Sequence, residues 1–294
     1  MEQKHPVICF GEVLWDVLPA GAEPGGAPMN VAYHLHKHQL NPALITSIGD
    51  DEAGEKIKKL FADRGICTDY FFTNVQHPTG IVFAKADANN DMTYDIVQPV
   101  AWDFIPYTQA MADRVGEASY FVYGSLASRS EVSRSSLLRL LSDAYIKVLD
   151  INLRAPHYDQ QGLLPLLQQA DILKMNEEEM ELVGSWYADG QQREDVIRAI
   201  SKQLNIQIII VTLGAKGALL FMNDTFFEHS GYKVKVADTI GSGDAFLAGF
   251  LMQLMAGAAP QTALDYASRL GALIATKKGG CPEYDLRELD GVGS

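Results

Sequence analysis

The run Ala237-Asp238-Thr239-Ile240-Gly241-Ser242-Gly243-Asp244-Ala245-Phe246 carries the strongest chemical signal in this sequence. It follows a strand-like stretch, Tyr232–Val236, and precedes a long apolar helix, Ala245–Met255. Glycines at a strand-to-helix junction turn backbone N–H groups toward one point at the positive end of the helix, which holds an anion such as phosphate. A carboxylate there would repel that anion if binding were its only task. Asp244 fits if it takes the proton from a hydroxyl that attacks phosphorus. The competing reading is a glycine turn capped by Asp244, which Gly-x-Gly-Asp alone does not exclude.

Three weaker signals accompany it. Thr212-Leu213-Gly214-Ala215-Lys216-Gly217 closes a strongly β-rich run, where glycines would let a nucleotide approach the backbone at the carboxyl end of a parallel strand. Asn176-Glu177-Glu178-Glu179 also follows a strand; its carboxylates could hold Mg²⁺ through water, or simply complement a helix dipole. Near the start, Gly11-Glu12 and Asp16 precede Gly25-Gly26-Ala27-Pro28-Met29-Asn30. An Asp and an Asn beside tight glycine turns suit the vicinal hydroxyls of a sugar, since one accepts and the other both donates and accepts. Either could equally be a turn former.

The elements that must position these residues alternate. Val7–Phe10, Ala43–Ile48, Tyr120–Tyr123, Lys147–Asp150, Ile172–Met175 and Ile208–Thr212 read as strands buried on both faces. Between them, Val31–His38, Glu52–Asp63, Glu131–Asp143, Glu177–Val183 and Glu194–Leu204 are amphipathic, and Pro28 stands where a first helical turn begins. This alternation predicts one α/β domain over residues 1–294, with helices covering both faces of a mostly parallel sheet. Residues 70–103 break the rhythm. Gly80–Ala86 and Met92–Val97 flank an Asp- and Asn-rich turn at 87–91, a hairpin signature that suggests a lid or an edge hairpin.

Composition sets the outer bounds. The chain has 294 residues, 47% hydrophobic and 21% charged, enough to build a sizeable core. With 24 Lys and Arg against 37 Asp and Glu, the net charge of −13 excludes a basic surface for nucleic acid or anionic lipid. Cys9, Cys67 and Cys281 form no disulfide framework, and the first residues lack the apolar stretch of a signal peptide. A cytoplasmic location is expected. Among the remaining polar residues, His34, His36 and His38 read as solvated helix positions rather than a metal cluster, and Cys9 as a small core hydrophobe. Trp15, Tyr94 and Trp102 read as core or lid packing, with a sugar pocket as the alternative.

Together these features resemble the ribokinase-like (PfkB) family of sugar kinases, in the family's order and over nearly the whole chain. Gly25, Gly26 and Asn30 resemble its N-terminal signature, and Asp238 to Asp244 its C-terminal DTxGAGD signature, with Ser242 in place of the usual Ala. Asn176 and Glu179 match its NxxE, and Thr212, Gly214 and Gly217 its nucleotide loop. Within the family, Gly11–Asp16, Gly25–Leu35, Asp150-Ile151-Asn152-Leu153-Arg154 and Ala275–Gly280 are most similar to bacterial fructokinases.

The resemblance implies a three-layer α/β/α fold with a small β lid, built from about 12–28 and 70–103; the exposed edge of that insert could pair with the same element of a second copy, so a homodimer through the lid is expected. It implies ATP-dependent phosphorylation of a primary hydroxyl of a small sugar, D-fructose first, with no nucleic-acid or membrane partner. Ribose, 2-keto-3-deoxygluconate, a nucleoside, or a non-catalytic sensor of the same fold are the alternatives. Asp244 would be the base, with Gly241, Ser242 and Gly243 as the anion hole. Asp16, Gly25, Gly26 and Asn30 would hold the sugar, while Arg154 serves the sugar, the transferred phosphate or only a surface ion pair. Asn176, Thr212, Gly214, Gly217 and Gly243 would face the nucleotide, and Glu179 would reach Mg²⁺ through water. Family members often use K⁺ beside the anion hole; Asp238 and the Ile240 carbonyl are the matching ligands here, and the K⁺ requirement stays open.

Overall fold

The computed structural model describes residues 5–18, 21–86, 92–188 and 192–293. The chain opens with β1 (Val7–Phe10), four consecutive buried apolar residues. It then forms β2 (Leu14–Leu18), β3 (Gly21–Gly25) and α1 (Ala27–Lys37), with Pro28 in the first turn of that helix. Next come β4 (Ala43–Gly49), α2 (Glu52–Asp63) and β5 (Phe71–Asn74), followed by the hairpin strands β6 (Gly80–Ala86) and β7 (Met92–Ile96). The middle of the chain alternates as α3 (Gln109–Glu117), β8 (Tyr120–Gly124), α4 (Glu131–Leu141), β9 (Ile146–Asp150) and α5 (Gln160–Leu167). It continues through β10 (Ile172–Asn176), α6 (Glu177–Gly184), α7 (Arg193–Leu204) and β11 (Ile208–Thr212). β12 (Ala218–Met222), β13 (Thr225–His229), α8 (Ser242–Met255) and α9 (Pro260–Ala275) complete the frame.

Among the described residues, nine strands form one sheet in the order β13-β12-β11-β10-β9-β8-β1-β4-β5. All neighbours from β11 to β5 are parallel, and β12 and β13 extend the sheet antiparallel. Pleating divides each strand between two cores. Ile8 and Phe10 pack with Leu137, Leu166 and Ile197, whereas Val7 and Cys9 pack with Leu35, Phe250 and Leu270. One face is therefore covered by α3 to α7 and the other by α1, α2, α8 and α9, the three-layer α/β/α arrangement that the alternation predicts.

A second sheet, β3-β2-β6-β7, stands apart from the first. Its central pair, β2 and β6, is parallel, and the β6–β7 hairpin is antiparallel from Val82–Ile96 to Ala86–Met92. The turn at 87–91 and the side chain of Tyr94 lie outside the described residues. Only part of 70–103 belongs to this sheet. Phe71–Asn74 pairs with β4 at the edge of the large sheet, and Val100, Ala101 and Trp102 are buried in the main core. Their apolar side chains find a partner surface there that a two-layer flap would not offer.

Two further expectations are corrected. Tyr232–Val236 is not a strand. Gly231, at φ 78°, turns the chain away from β13, and Tyr232 Oη donates to Asp265 on α9 at 2.6 Å. His34 is not solvated: α1 is buried on nearly every side, and His34 is 0% exposed. His34 Nε2 donates to Gly280 O at 3.0 Å, since a carbonyl can only accept, and Nδ1 accepts from Tyr284 Oη at 3.0 Å. Burial lowers its pKa to about 3, so the imidazole is neutral. Tyr33 Oη donates to Pro282 O at 2.6 Å, fastening the segment after α9 onto α1.

Candidate active site

Gly241 opens α8 in the left-handed region at φ 75°, and a Cβ on it would stand 2.5 Å from Gly280 Cα. Only glycine lets the 237–241 loop lie against the 275–280 segment so closely. Ala237 N and Asp238 N both donate to Ala275 O, and Asp238 Oδ2 accepts from Gly279 N at 3.0 Å. The loop is thus pinned, and the first N–H groups of α8 beyond it have no intrahelical acceptor. Ser242 adds little to that hole by its side chain: Oγ donates to Gly271 O at 2.9 Å, toward α9.

Asp244 lies in the first turn of α8, 8% exposed. Its Oδ2 accepts from Asn30 Nδ2 at 2.7 Å, so a residue of α1 orients the carboxylate across 214 residues of sequence. Asn30 is fixed in turn. Cys281 Sγ donates to its Oδ1 at 3.2 Å, and Gly280 approaches so closely that a Cβ there would meet Asn30 Nδ2 at 2.5 Å.

A cavity of about 450 Å³ opens over this pair, lined by Glu12, Asp16, Asn30, Arg154, Lys174 and Asp244 along with Gly26, Gly241 and Gly243. Gly25 and Gly26 make room for its wall. A Cβ on Gly25 would lie 2.2 Å from Asp16 Oδ2, and one on Gly26, at φ 122°, 2.3 Å from Glu12 O. Asn152, at φ 40°, turns the chain after β9 so that it and Arg154 both line the cavity. Among the described residues Arg154 forms no ion pair; its Nη1 donates to Leu153 O at 3.0 Å, which argues against the surface-pair reading.

Sequence reasoning missed a buried ion pair beneath the site. Lys174 Nζ donates to both oxygens of Asp150, at 2.9 and 2.7 Å. The same ammonium lies 3.3 Å from where a Cβ on Gly243 would be, under the start of α8. A lone lysine within the apolar run Ile172–Met175 was the available signal, because a charge inside a parallel strand demands a partner. Burial works against that ammonium, but Asp150 and then Asp244 and Glu179 hold its pKa up. Glu12 stands out in the sequence only beside Gly11 and has no role assigned there. Its Oε1 accepts from Ala27 N at 3.2 Å, while Oε2 is buried without a hydrogen-bond partner.

The cavity shifts its acids together. Burial, and then the Asp150 charge, push Asp244 up to about 6, against Lys174 and the Asn30 hydrogen bond. Burial raises Asp16 to about 6 and Glu12 to about 7, each opposed by Arg154. A carboxylate in that range is a better proton acceptor near neutral pH than one in water.

The residues expected to meet a nucleotide lie at the carboxyl ends of the neighbouring strands β10 and β11, where Asn176 and Thr212 are directly paired. Asn176 Oδ1 caps α6 by accepting from Glu179 N at 2.8 Å. Glu179 is buried, its Oε2 accepting from Asn176 N at 2.8 Å and its Oε1 from Leu153 N at 2.7 Å, one residue before Arg154. Both oxygens are therefore engaged with backbone, leaving their remaining lone pairs for a hydrated cation. Gly214, at φ 58°, has open space around it, as an approach site needs. Gly217 has a different reason: a Cβ would lie 1.8 Å from His229 O, so its glycine serves the β12–β13 packing.

Residues 6–285 match the model of the family described as pfkB family carbohydrate kinase. A fructokinase of Escherichia coli is 28% identical over 304 residues, covering 96% of this chain and 97% of that protein. Among solved structures, a fructokinase with bound ATP from Xylella fastidiosa aligns with a TM-score of 0.84 at 22% identity, over 95% of this chain and 94% of the other. A fructokinase double mutant from Vibrio cholerae O395, bound to fructose, ADP and potassium ion, aligns with a TM-score of 0.83 at 23% identity over 100% of both chains. These structures share the fold described above.

Proposed function

The chain belongs to the pfkB family of carbohydrate kinases, and from that premise we propose that it transfers the γ-phosphoryl group of ATP to a primary hydroxyl of a small sugar, D-fructose in the first place. One observation carries the reading: a carboxylate oriented by Asn30 stands inside a polar cavity at the N-terminus of α8. Asp244 Oδ1 accepts the hydrogen of the sugar's attacking hydroxyl as that oxygen bonds to phosphorus. Gly241 and Gly243 turn amides toward the phosphoryl oxygens, and behind them Lys174, its charge balanced by Asp150, has a third N–H to offer. Asp16, Asn30 and Glu12 take up the remaining hydroxyls, and Arg154 lies where sugar and phosphate meet. Mg²⁺, carried with the nucleotide phosphates, would neutralise charge there, with Glu179 and Asn176 facing its water shell. Asp238 and the Ile240 carbonyl would hold K⁺ against the 275–280 segment.

D-fructose as acceptor draws on the fructokinases just described and on the carboxylates and amides lining the cavity, which suit sugar hydroxyls. The small sheet would act as a lid that excludes water, and its outer strands β3 and β7 offer edges through which a second copy could pair. Sedimentation that finds only monomer at assay concentration would reject that dimer. ATP as donor and three unpaired cysteines fit a cytoplasmic setting, and no helix among the described residues is long and apolar enough to cross a membrane. A coupled ADP-release assay over a panel of fructose, ribose, 2-keto-3-deoxygluconate and nucleosides tests the assignment. Fructose should give the highest kcat/KM. A higher value for another acceptor would replace the substrate, and no turnover with any would reject the kinase.

A further inference from the structure

Next to the catalytic cavity, a second one of about 270 Å³ is lined by Ser125, Ser128, Arg129, Arg134, His157 and Gly162. The two share connecting segments without sharing a residue. After β8, Ser125 faces one and Leu126 the other; after β9, Pro156 and Arg154 divide in the same way.

The second cavity holds two guanidinium groups with unused donors, one of them paired with Asp103, and Asp159 stands among its lining residues. Arg129 is held rigidly: Nε donates to Asp103 at 2.7 Å, Nη2 donates to Asp103 and to Val97 O, and the guanidinium stacks 3.9 Å over Trp102. Its side chain is only 4% exposed, yet Nη1 has no hydrogen-bond partner. A buried donor in that state is costly until an acceptor reaches it. Arg134 donates Nε to Ser128 O at 2.7 Å and forms no ion pair among the described residues. Its Nη2 lies beside Gly162 at the start of α5, 3.5 Å from where a Cβ would be, an ordinary contact distance. Asp159, which also lines the cavity, is exposed and engaged as the cap of α5, accepting from Gly162 N at 2.7 Å. His157 adds no charge of its own, because burial and then Arg129 lower its pKa.

We propose that this cavity binds an oxyanion group, phosphate or carboxylate, with Arg134 supplying the charge and Arg129 the buried donor. Two carriers share that chemistry: an acidic group at the far end of a longer acceptor, or a free anion that acts on the enzyme through the shared segments. Neither depends on which neutral sugar the catalytic cavity prefers.

The test starts with inorganic phosphate, titrated calorimetrically into the whole protein while a non-hydrolysable ATP analogue fills the phosphate site at α8. The wild type should bind, and Arg134→Gln should bind at least about tenfold more weakly, the effect of removing a charge-assisted pair. His157→Glu, which brings a carboxylate into the cavity from another element, should have the same effect if Arg134→Gln fails to fold. Kinetics then separate the carriers. If the acceptor brings the anion, Arg134→Gln raises KM for a sugar acid or sugar phosphate and leaves that for neutral sugars unchanged. If a free anion acts, phosphate changes turnover of a neutral sugar in the wild type but not in the variant. Absence of phosphate binding by the wild type, or binding that both variants leave intact, overturns the proposal.

Discussion

Replacing Asp244 by Asn separates the roles that its environment combines. Asn30 Nδ2 already donates to Oδ2 at 2.7 Å, so the new amide must offer its oxygen to Asn30 and turn its NH₂ toward the sugar. The attacking hydroxyl then faces a donor where it needs an acceptor. Loss of a general base predicts a fall in kcat of about 10²–10⁴, or roughly 3–5 kcal/mol of barrier, with sugar KM nearly unchanged. In the wild type, kcat should fall as pH drops through about 6, where Asp244 takes up its proton. Stability should move the other way. A carboxyl raised from 3.8 to about 6 binds its proton more tightly folded than unfolded, so the wild type loses stability as pH rises from about 4 through 6. That loss is on the order of 3 kcal/mol above pH 6, and Asn does not suffer it. The variant should therefore be nearly inactive and melt a few degrees higher at pH 8. Single-turnover kinetics and thermal unfolding from pH 5 to 8 measure both. A variant within a few-fold of wild-type kcat, with chemistry shown to be rate-limiting, would refute Asp244 as the base.

Four other perturbations follow from the same geometry. Lys174→Met alone should cost about 3–5 kcal/mol by stranding Asp150. Pairing it with Asp150→Asn should restore much of the stability but leave kcat down at least tenfold, and an unchanged kcat in the double variant would make Lys174 purely structural. Glu12→Gln keeps an acceptor for Ala27 N but changes the free oxygen in the cavity, so sugar KM should rise about tenfold, worth 1–2 kcal/mol, with ATP KM constant; an unmoved sugar KM would remove Glu12 from the sugar site. Glu179→Gln can satisfy only one of the Leu153 and Asn176 amides, so stability should fall by about 1–3 kcal/mol and the Mg²⁺ concentration for half-maximal rate should rise. Unaltered Mg²⁺ dependence would confine Glu179 to bracing the backbone. Hydrogen exchange across 80–86 and 92–97 should slow on adding fructose, and unchanged exchange would count against lid closure.

Much of this was legible where one physical demand dominated. Strands buried on both faces declare themselves as unbroken apolar runs, and α2 begins and ends at the residues its charge pattern marks. The turn before α8 was readable as a glycine junction opening a helix, while the close approach of Gly280 that requires Gly241 was not. Elsewhere, local pattern and distant partner disagreed. Tyr232–Val236 has a strand's composition but no neighbour to pair with, and His34 is polar in sequence yet meets its acceptor on Gly280, 246 residues away. The β12–β13 hairpin left a signal that went unused: Asn223 and Asp224 both adopt positive φ, as a two-residue turn requires. The Lys174–Asp150 pair depends on β9 and β10 being adjacent, which no periodicity reports.

The support of Asp244 has a consequence for biosynthesis. Its orienting residue is Asn30, and the residues that immobilise that partner, Gly280 and Cys281, come 250 and 251 positions later. A nascent polypeptide can lay down most of the large sheet in order of translation, since nearly all neighbouring strands are joined through local crossovers. It cannot align Asp244 in this way until the residues after α9 have been made and have closed over α1. On the proposed chemistry, a chain that stops short of Gly280 and Cys281 would hold Asp244 unaligned and remain silent.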